Sequence, residues 1–280
     1  MKNKKVNVIL DCDTKNEIDD QFAISYALKS SEINLLGVCS VQNTKKHGSK
    51  SIDIYHNEAK KILKLGNSKI SAYKGSRFPI KSSKNPEESS AVNFIIKTAL
   101  NSSEKVYIIG IGPCTNIVNA CLLEPKIKKK CVFVWLGGFL DNKEARKQDW
   151  KECNFDGDKT GVKILFDLDI DLILIPAWGV TDRMIIQNEY FSQELKIKNT
   201  PLSNYLSKLV NETRQKFHIF WDVAAIAVVE NLKKSRIKKV PTCKVKDNKI
   251  VFLNKNKNKI KLVYSIEEFD ILNELKRRLL

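Results

Sequence analysis

No stretch of the 280-residue chain combines the length and apolarity of a membrane span, and its opening, MKNKKVNVIL, runs into an acidic segment without a small-residue cleavage site. A membrane or secretory address is therefore not expected, and the chain reads as cytoplasmic. Seven cysteines (Cys12, Cys39, Cys114, Cys121, Cys131, Cys153 and Cys243) are odd in number and never spaced as CxxC, and no HxxxH pair occurs. That pattern excludes a disulfide framework and a zinc site, and leaves reduced, mostly buried thiols. Arginine is scarce as well: the net charge of +17 comes from 49 Lys and Arg, of which only 7 are Arg. The basic runs KIKKK (126–130), KKSRIKK (233–239) and NKNKNKIK (254–261) lack interleaved aromatics for base stacking. They read as a solvated surface, with no specific nucleic-acid partner expected. Internal repeats and disordered linkers are also missing.

What is present suffices for a full core, with 42% hydrophobic residues over a length that suits one domain spanning 1–280. Apolar runs alternate with segments of helical period. The strand candidates are 6–11, 33–41, 70–75, 106–112, 131–138 and 171–178. Between them lie helix candidates near 18–30, 47–64, 89–102, 115–124 and 156–167. Such alternation predicts an α/β fold, a Rossmann-like, open, mostly parallel sheet with helices on both faces. After residue 180 the pattern becomes helical, with a break at Pro201, a helix through 202–231, short strands in 242–264 and a closing helix in 265–280.

Ligands of open α/β sheets sit beyond the carboxyl ends of the strands, and the polar residues cluster there. Asp11 and Asp13 end the first strand candidate, Asn43 follows the second, GPCTN (112–116) the fourth, and Glu152 and Asn154 the fifth. LDCDTKNEIDDQ packs Asp11, Asp13, Glu17, Asp19 and Asp20 into ten positions. A helix N-terminus explains Asp19 and Asp20 as capping residues but not all five. Crowded carboxylates need a cation, and an oxygen-only set suits Ca²⁺ or Mg²⁺.

VILDCDTKNEIDDQFAISYAL, LLGVCSVQN (35–43), GIGPCTNIVNA (110–120), WLGG (135–138), ECNFD (152–156) and WDVAAIAV (221–228) together resemble the nucleoside hydrolase family in residue type, order and spacing. The resemblance implies Ca²⁺-dependent hydrolysis of the N-glycosidic bond of ribonucleosides, in a homo-oligomer, dimer or tetramer. It implies metal ligands at Asp13, Asp20, the backbone carbonyl of Thr115, and Asp222, with Asp13 also the general base. Asp19, Asn43, Glu152 and Asn154 would hold the ribose hydroxyls, with Asp11 behind the ligands. Three departures are specific to this chain. TKNEI (14–18) lengthens the acidic loop and brings Lys15 and Glu17 within reach of the site. Phe139 replaces an Asn common after WLGG, and Trp221 replaces a His common before the last metal Asp. Trp221 resembles the purine-preferring branch, where aromatic rings sandwich the base; Phe78 is the candidate opposing ring, and His218, one helical turn before Asp222, a candidate acid.

Two other readings use the same residues. VILDCDT is also the strand-end DxDxT of haloacid-dehalogenase-type phosphatases, with Asp11 as phosphoryl acceptor and Asp13 as acid/base. A catalytically inactive protein binding polyanions through its lysines would show steep salt dependence and no turnover.

Overall fold

The computed structural model describes residues 5–280. Strands β1 (Val6–Cys12), β2 (Ile33–Ser40), β3 (Ala72–Lys74), β4 (Val106–Gly110), β5 (Cys131–Leu136), β6 (Leu172–Ile175), β7 (Ile185–Gln187), β8 (Phe217–Ile219), β9 (Ser235–Pro241), β10 (Lys244–Lys246), β11 (Lys249–Val251) and β12 (Lys259–Ile266) follow one another in the chain. Eight form one sheet in the order β3-β2-β1-β4-β5-β6-β12-β9. All its pairings are parallel except β12 with β9. The strand order reverses between β1 and β4, which opens a crevice at their carboxyl ends.

The period-2 alternation of the strands divides the core in two. Val8, Leu10, Val134 and Ile173 face one apolar layer, and Ile9, Phe133, Trp135 and Leu172 the other. Helices cover both layers, so the expected architecture is present.

Two segments differ from the sequence expectation. The helix expected through 202–231 is two helices, Pro201–Glu212 and Trp221–Glu230, separated by β8, which pairs antiparallel with β7. In FHIF (217–220), burial alternates with a strand's period: Phe217 is exposed, His218 buried, Ile219 half-buried and Phe220 buried. Arg214, at φ 53°, turns the chain out of the first helix. The second difference is β9, where a run read as solvated lysines is an edge strand. Lysines on an edge strand discourage pairing with another chain, which gives part of the basic surface a structural role.

The helices Asp19–Leu28 and Trp221–Glu230 lie side by side, and a buried ion cluster ties their far ends. Glu230 accepts hydrogen bonds from Tyr26 Oη (3.0 Å), Ser30 Oγ (2.5 Å) and Arg278 Nη2 (2.6 Å). Arg278 and Glu230 have side chains only 7% and 3% exposed, and the guanidinium also lies 4.0 Å from the Tyr26 ring centre. Breaking such a pair strands a buried charge, so Arg278→Ala is expected to cost about 3–5 kcal/mol. Urea unfolding checks this, and pairing Arg278→Met with Glu230→Gln should recover most of the loss.

Candidate active site

The crevice at the strand-order reversal holds a cavity of ≈ 240 Å³ lined by Asp13, Glu17, Asp19, Asp20, Ile111, Glu152, Asn154, Trp178, Trp221 and Asp222, among others. Most arrive by a short route from a strand end, whereas Glu152 and Asn154 follow β5 after an intervening helix, Asn142–Lys147. Asp13 directly follows β1, and Ile111 follows β4. A Cβ at Gly112 would sit 2.9 Å from Asp13 Oδ1, so glycine lets the β4 loop close over that carboxylate. Asp19 and Asp20 open one helix and Trp221 and Asp222 another. The positive ends of both helix dipoles therefore face the acidic cluster.

Asp19, Asp20 and Asp222 each present a carboxylate oxygen within 4.8 Å of the other two. Asp19 Oδ2 accepts the backbone N–H of Asp222 at 3.3 Å, which couples the two helix starts. Asp13 stands beside this triad, its Oδ2 held by Asn43 Nδ2 at 2.8 Å. Among the described residues none of these four carboxylates is ion-paired, and buried Asp20 Oδ1 has no hydrogen-bond partner. Burial, then repulsion from the neighbouring acids, pushes Asp19, Asp20 and Asp222 well above the usual carboxylate range. Burial raises Asp13 and Glu152 to about 7 each. An all-oxygen set with an orphaned buried acceptor fits a hard divalent cation.

The opposite wall is rigid. Glu152 caps the helix Cys153–Gly157 and accepts backbone N–H groups from Gly138 (2.8 Å), Asn154 (2.9 Å) and Phe155 (2.9 Å). Asn154 Nδ2 donates to the carbonyls of Ile111 (3.1 Å) and Leu136 (2.9 Å), fixing its amide at the ends of two strands. The far end of the cavity is aromatic: Trp178 and Trp221 meet edge to face, with ring centres 6.0 Å apart. His218 lies behind Trp221, and burial lowers its imidazole to about 4.

Several sequence candidates fall elsewhere. Thr115 begins a helix with its hydroxyl donating to Asp158 (2.6 Å), and it does not line the cavity; of residues 110–115, Ile111 does. Phe78 is 46% exposed and away from the cavity, and the aromatic partner of Trp221 is Trp178. Asn43 is wholly buried and backs Asp13 without lining the cavity. Lys15 turns away to pair with Glu58 at 3.5 Å, whereas Glu17 does reach the cavity. Phe139 is core and bridges the backbone of Trp178. Trp178 carried a usable signal, since it follows β6 at the ligand-binding rim. Asp11 is buried behind the site, raised to about 8 by burial, and takes Asn116 Nδ2 at 2.8 Å. It does not line the cavity, which leaves a phosphoryl-acceptor role without access to substrate.

The raised carboxyls give a signed expectation. The folded chain keeps protons that the unfolded chain releases near pH 4, so stability falls as pH rises through the window from about 4 to about 7–8. A divalent cation held by Asp13, Asp20 and Asp222 would replace the protons on those carboxylates. With chelator present, the melting temperature should drop between about pH 5 and about pH 8, and excess Ca²⁺ should raise it more at the higher pH. A melting temperature indifferent to both would contradict the buried-carboxylate account.

Comparison with known proteins agrees with this fold. A probable uridine nucleosidase 2 of Arabidopsis thaliana is 25% identical over 222 residues, covering 71% of this chain and 67% of that protein. Among solved structures, a plant nucleoside hydrolase superposes with TM-score 0.80 at 18% identity, covering 98% of both chains. A purine-preferring ribonucleoside hydrolase from Gardnerella vaginalis does so with TM-score 0.80 at 21% identity and 98% coverage of both. Residues 8–268, from β1 through the last strand into the closing helix, match one sequence family end to end, and the chain accordingly belongs to the inosine-uridine preferring nucleoside hydrolases, enzymes that cleave N-glycosidic bonds.

Proposed function

We propose that this protein hydrolyses ribonucleosides to free base and ribose in a Ca²⁺-dependent reaction, with purine nucleosides favoured. The observation that carries the reading is the pairing, in one cavity, of unpaired buried carboxylates at one end with two indoles at the other. The acidic end suits a sugar that gains positive charge, and the aromatic end suits a base.

The cation ligands in this reading are Asp13, Asp20, Asp222 and the carbonyl of Ile111, in place of Thr115. When bound, Ca²⁺ neutralises the cluster and makes a water more acidic. Asp13 accepts a proton from the attacking water, and Asn43 orients it by holding Oδ2. Asp19, Glu152 and Asn154 hold ribose hydroxyls; a missing hydroxyl would leave these buried groups unpaired, which disfavours deoxyribose. The fixed anions also stabilise the oxocarbenium-like charge that develops as the glycosidic bond breaks. Trp178 and Trp221, tilted steeply to one another, meet the departing base with the face of one indole and the edge of the other. Seven unpaired cysteines support a reducing, cytoplasmic setting. No helix among the described residues is long and apolar enough to cross a membrane. Assembly as a homo-oligomer belongs to the same reading.

The direct test incubates the protein with a panel of purine and pyrimidine nucleosides, with and without chelator, and assays released ribose; no chelator-sensitive release from any nucleoside would sink the proposal. Asp13→Asn should keep the fold and abolish turnover, since an amide cannot accept the proton. Trp178→Ala and Trp221→Ala should each lower kcat/KM for purine nucleosides roughly tenfold to a hundredfold, from a stacking contribution of about 1–3 kcal/mol, with smaller losses for pyrimidines. Equal losses across bases, accompanied by a fall in melting temperature, would instead assign the indoles to packing.

A further inference from the structure

The lengthened acidic loop brings a second set of ligand atoms together beside the first. Glu17, Asp19 and His218 each offer one atom within 4.8 Å of the other two. Asp19 belongs to both sets, while Glu17 and His218 belong only to this one. His218 is 8% exposed, and its Nε2 is buried with no hydrogen-bond partner. Its other nitrogen, Nδ1, faces Gln215 Oε1 at 3.4 Å. A proton on Nδ1 directed at Gln215 leaves the Nε2 lone pair free, the arrangement a metal-ligating histidine requires. The ring is wedged edge-on against Phe220 and Trp221, with centres 5.3 and 6.4 Å away.

The elements around it favour this placement. β8 carries His218, and its pairing with β7 sets Ile186 opposite His218. The loop bearing Glu17 is anchored by Asn16, whose Nδ2 donates to Cys153 Sγ at 3.1 Å and whose carbonyl accepts from Lys46 Nζ. Two carboxylates and one imidazole differ in kind from the all-oxygen triad of Asp19, Asp20 and Asp222. Imidazole nitrogen suits borderline ions, which bind four-coordinate with three protein ligands and leave a position for solvent, whereas Ca²⁺ prefers oxygen alone.

We propose that Glu17, Asp19 and His218 form a second cation site that takes a borderline divalent transition ion of the Zn²⁺ or Co²⁺ class, beside the hard-cation cluster and drawing on Asp19, which is not among that cluster's ligands in the hydrolase reading. The site rests on the positions of these three side chains and is independent of the hydrolase reading.

Co²⁺ is the probe, because a nitrogen ligand shows in its visible spectrum and as a paramagnetically shifted, exchangeable imidazole N–H signal in proton NMR. The full-length protein, saturated with Ca²⁺, is dialysed against Co²⁺. The expected result is one Co²⁺ per chain that Ca²⁺ does not displace, together with the imidazole signal. His218→Ala should lose that signal and weaken Co²⁺ binding by roughly 10–100-fold or more, while Ca²⁺ still raises its melting temperature. Glu17 is exposed, so Glu17→Gln will fold, and it too should weaken Co²⁺ binding; it decides the matter if His218→Ala fails to fold. Failure of the wild type to bind Co²⁺ under saturating Ca²⁺, or unchanged affinity in either folded variant, overturns the proposal.

Discussion

Carboxylates sharing a buried cleft repel one another and lose their hydration, and no lysine or arginine among the described residues is ion-paired with Asp13, Asp19, Asp20 or Asp222. Two things in the fold make the arrangement tolerable without a cation: the N-termini of the helices Asp19–Leu28 and Trp221–Glu230, and backbone or amide hydrogen bonds to individual oxygens. What remains uncompensated is shifted toward the protonated state. The cluster thus stores affinity for a positive charge, whether on an ion or on a sugar approaching its transition state.

Holding that cluster together demands two helices that keep their starts in register although Asp20 and Asp222 are about two hundred residues apart in sequence. The sheet supplies one restraint, since β1 and β4 flank the crevice and pair directly from Val8 with Tyr107 to Asp11 with Gly110. The Glu230 cluster supplies the other, at the ends of the helices away from the cavity. Its buried charges are fully hydrogen-bonded, so their contribution is chiefly positional: a misplaced helix would leave Glu230 or Arg278 unpaired in an apolar setting.

The aromatic end of the cavity follows a different logic. Trp178 is held by its backbone, accepting from Leu140 N–H at 3.0 Å and donating to the Gly138 carbonyl at 3.2 Å, while Trp221 rides on the first turn of the helix that also carries Asp222. The two indoles and the carboxylates therefore share one frame, so the spacing between the aromatic and acidic ends of the cavity is set by the end of β6 and one helix start.

The sequence alone determined the alternation of strand and helix, the rim that gathers polar residues, and the acidic run with its demand for a cation, because these follow from local periodicity and from the chain leaving each strand at the same edge. It also identified Asp13, Asp19, Asp20, Glu152, Asn154, Trp221 and Asp222, all of which line the cavity. Which groups face inward was decided only by the tertiary structure. Thr115 and Ile111 are four residues apart on the same loop and helix start, but the threonine hydroxyl is held by hydrogen bonds with Gln42 and Asp158, and only Ile111 lines the cavity. Phe78 and Trp178 both follow strands, but β3 lies at the sheet edge while β6 runs beside β5 near the crevice, so Trp178 reaches the site and Phe78 meets solvent. The strand at 217–219 replaced an expected helix because its partner, 185–187, lies some thirty residues away. Pairing across that distance is invisible to local periodicity, and it places His218 behind Trp221.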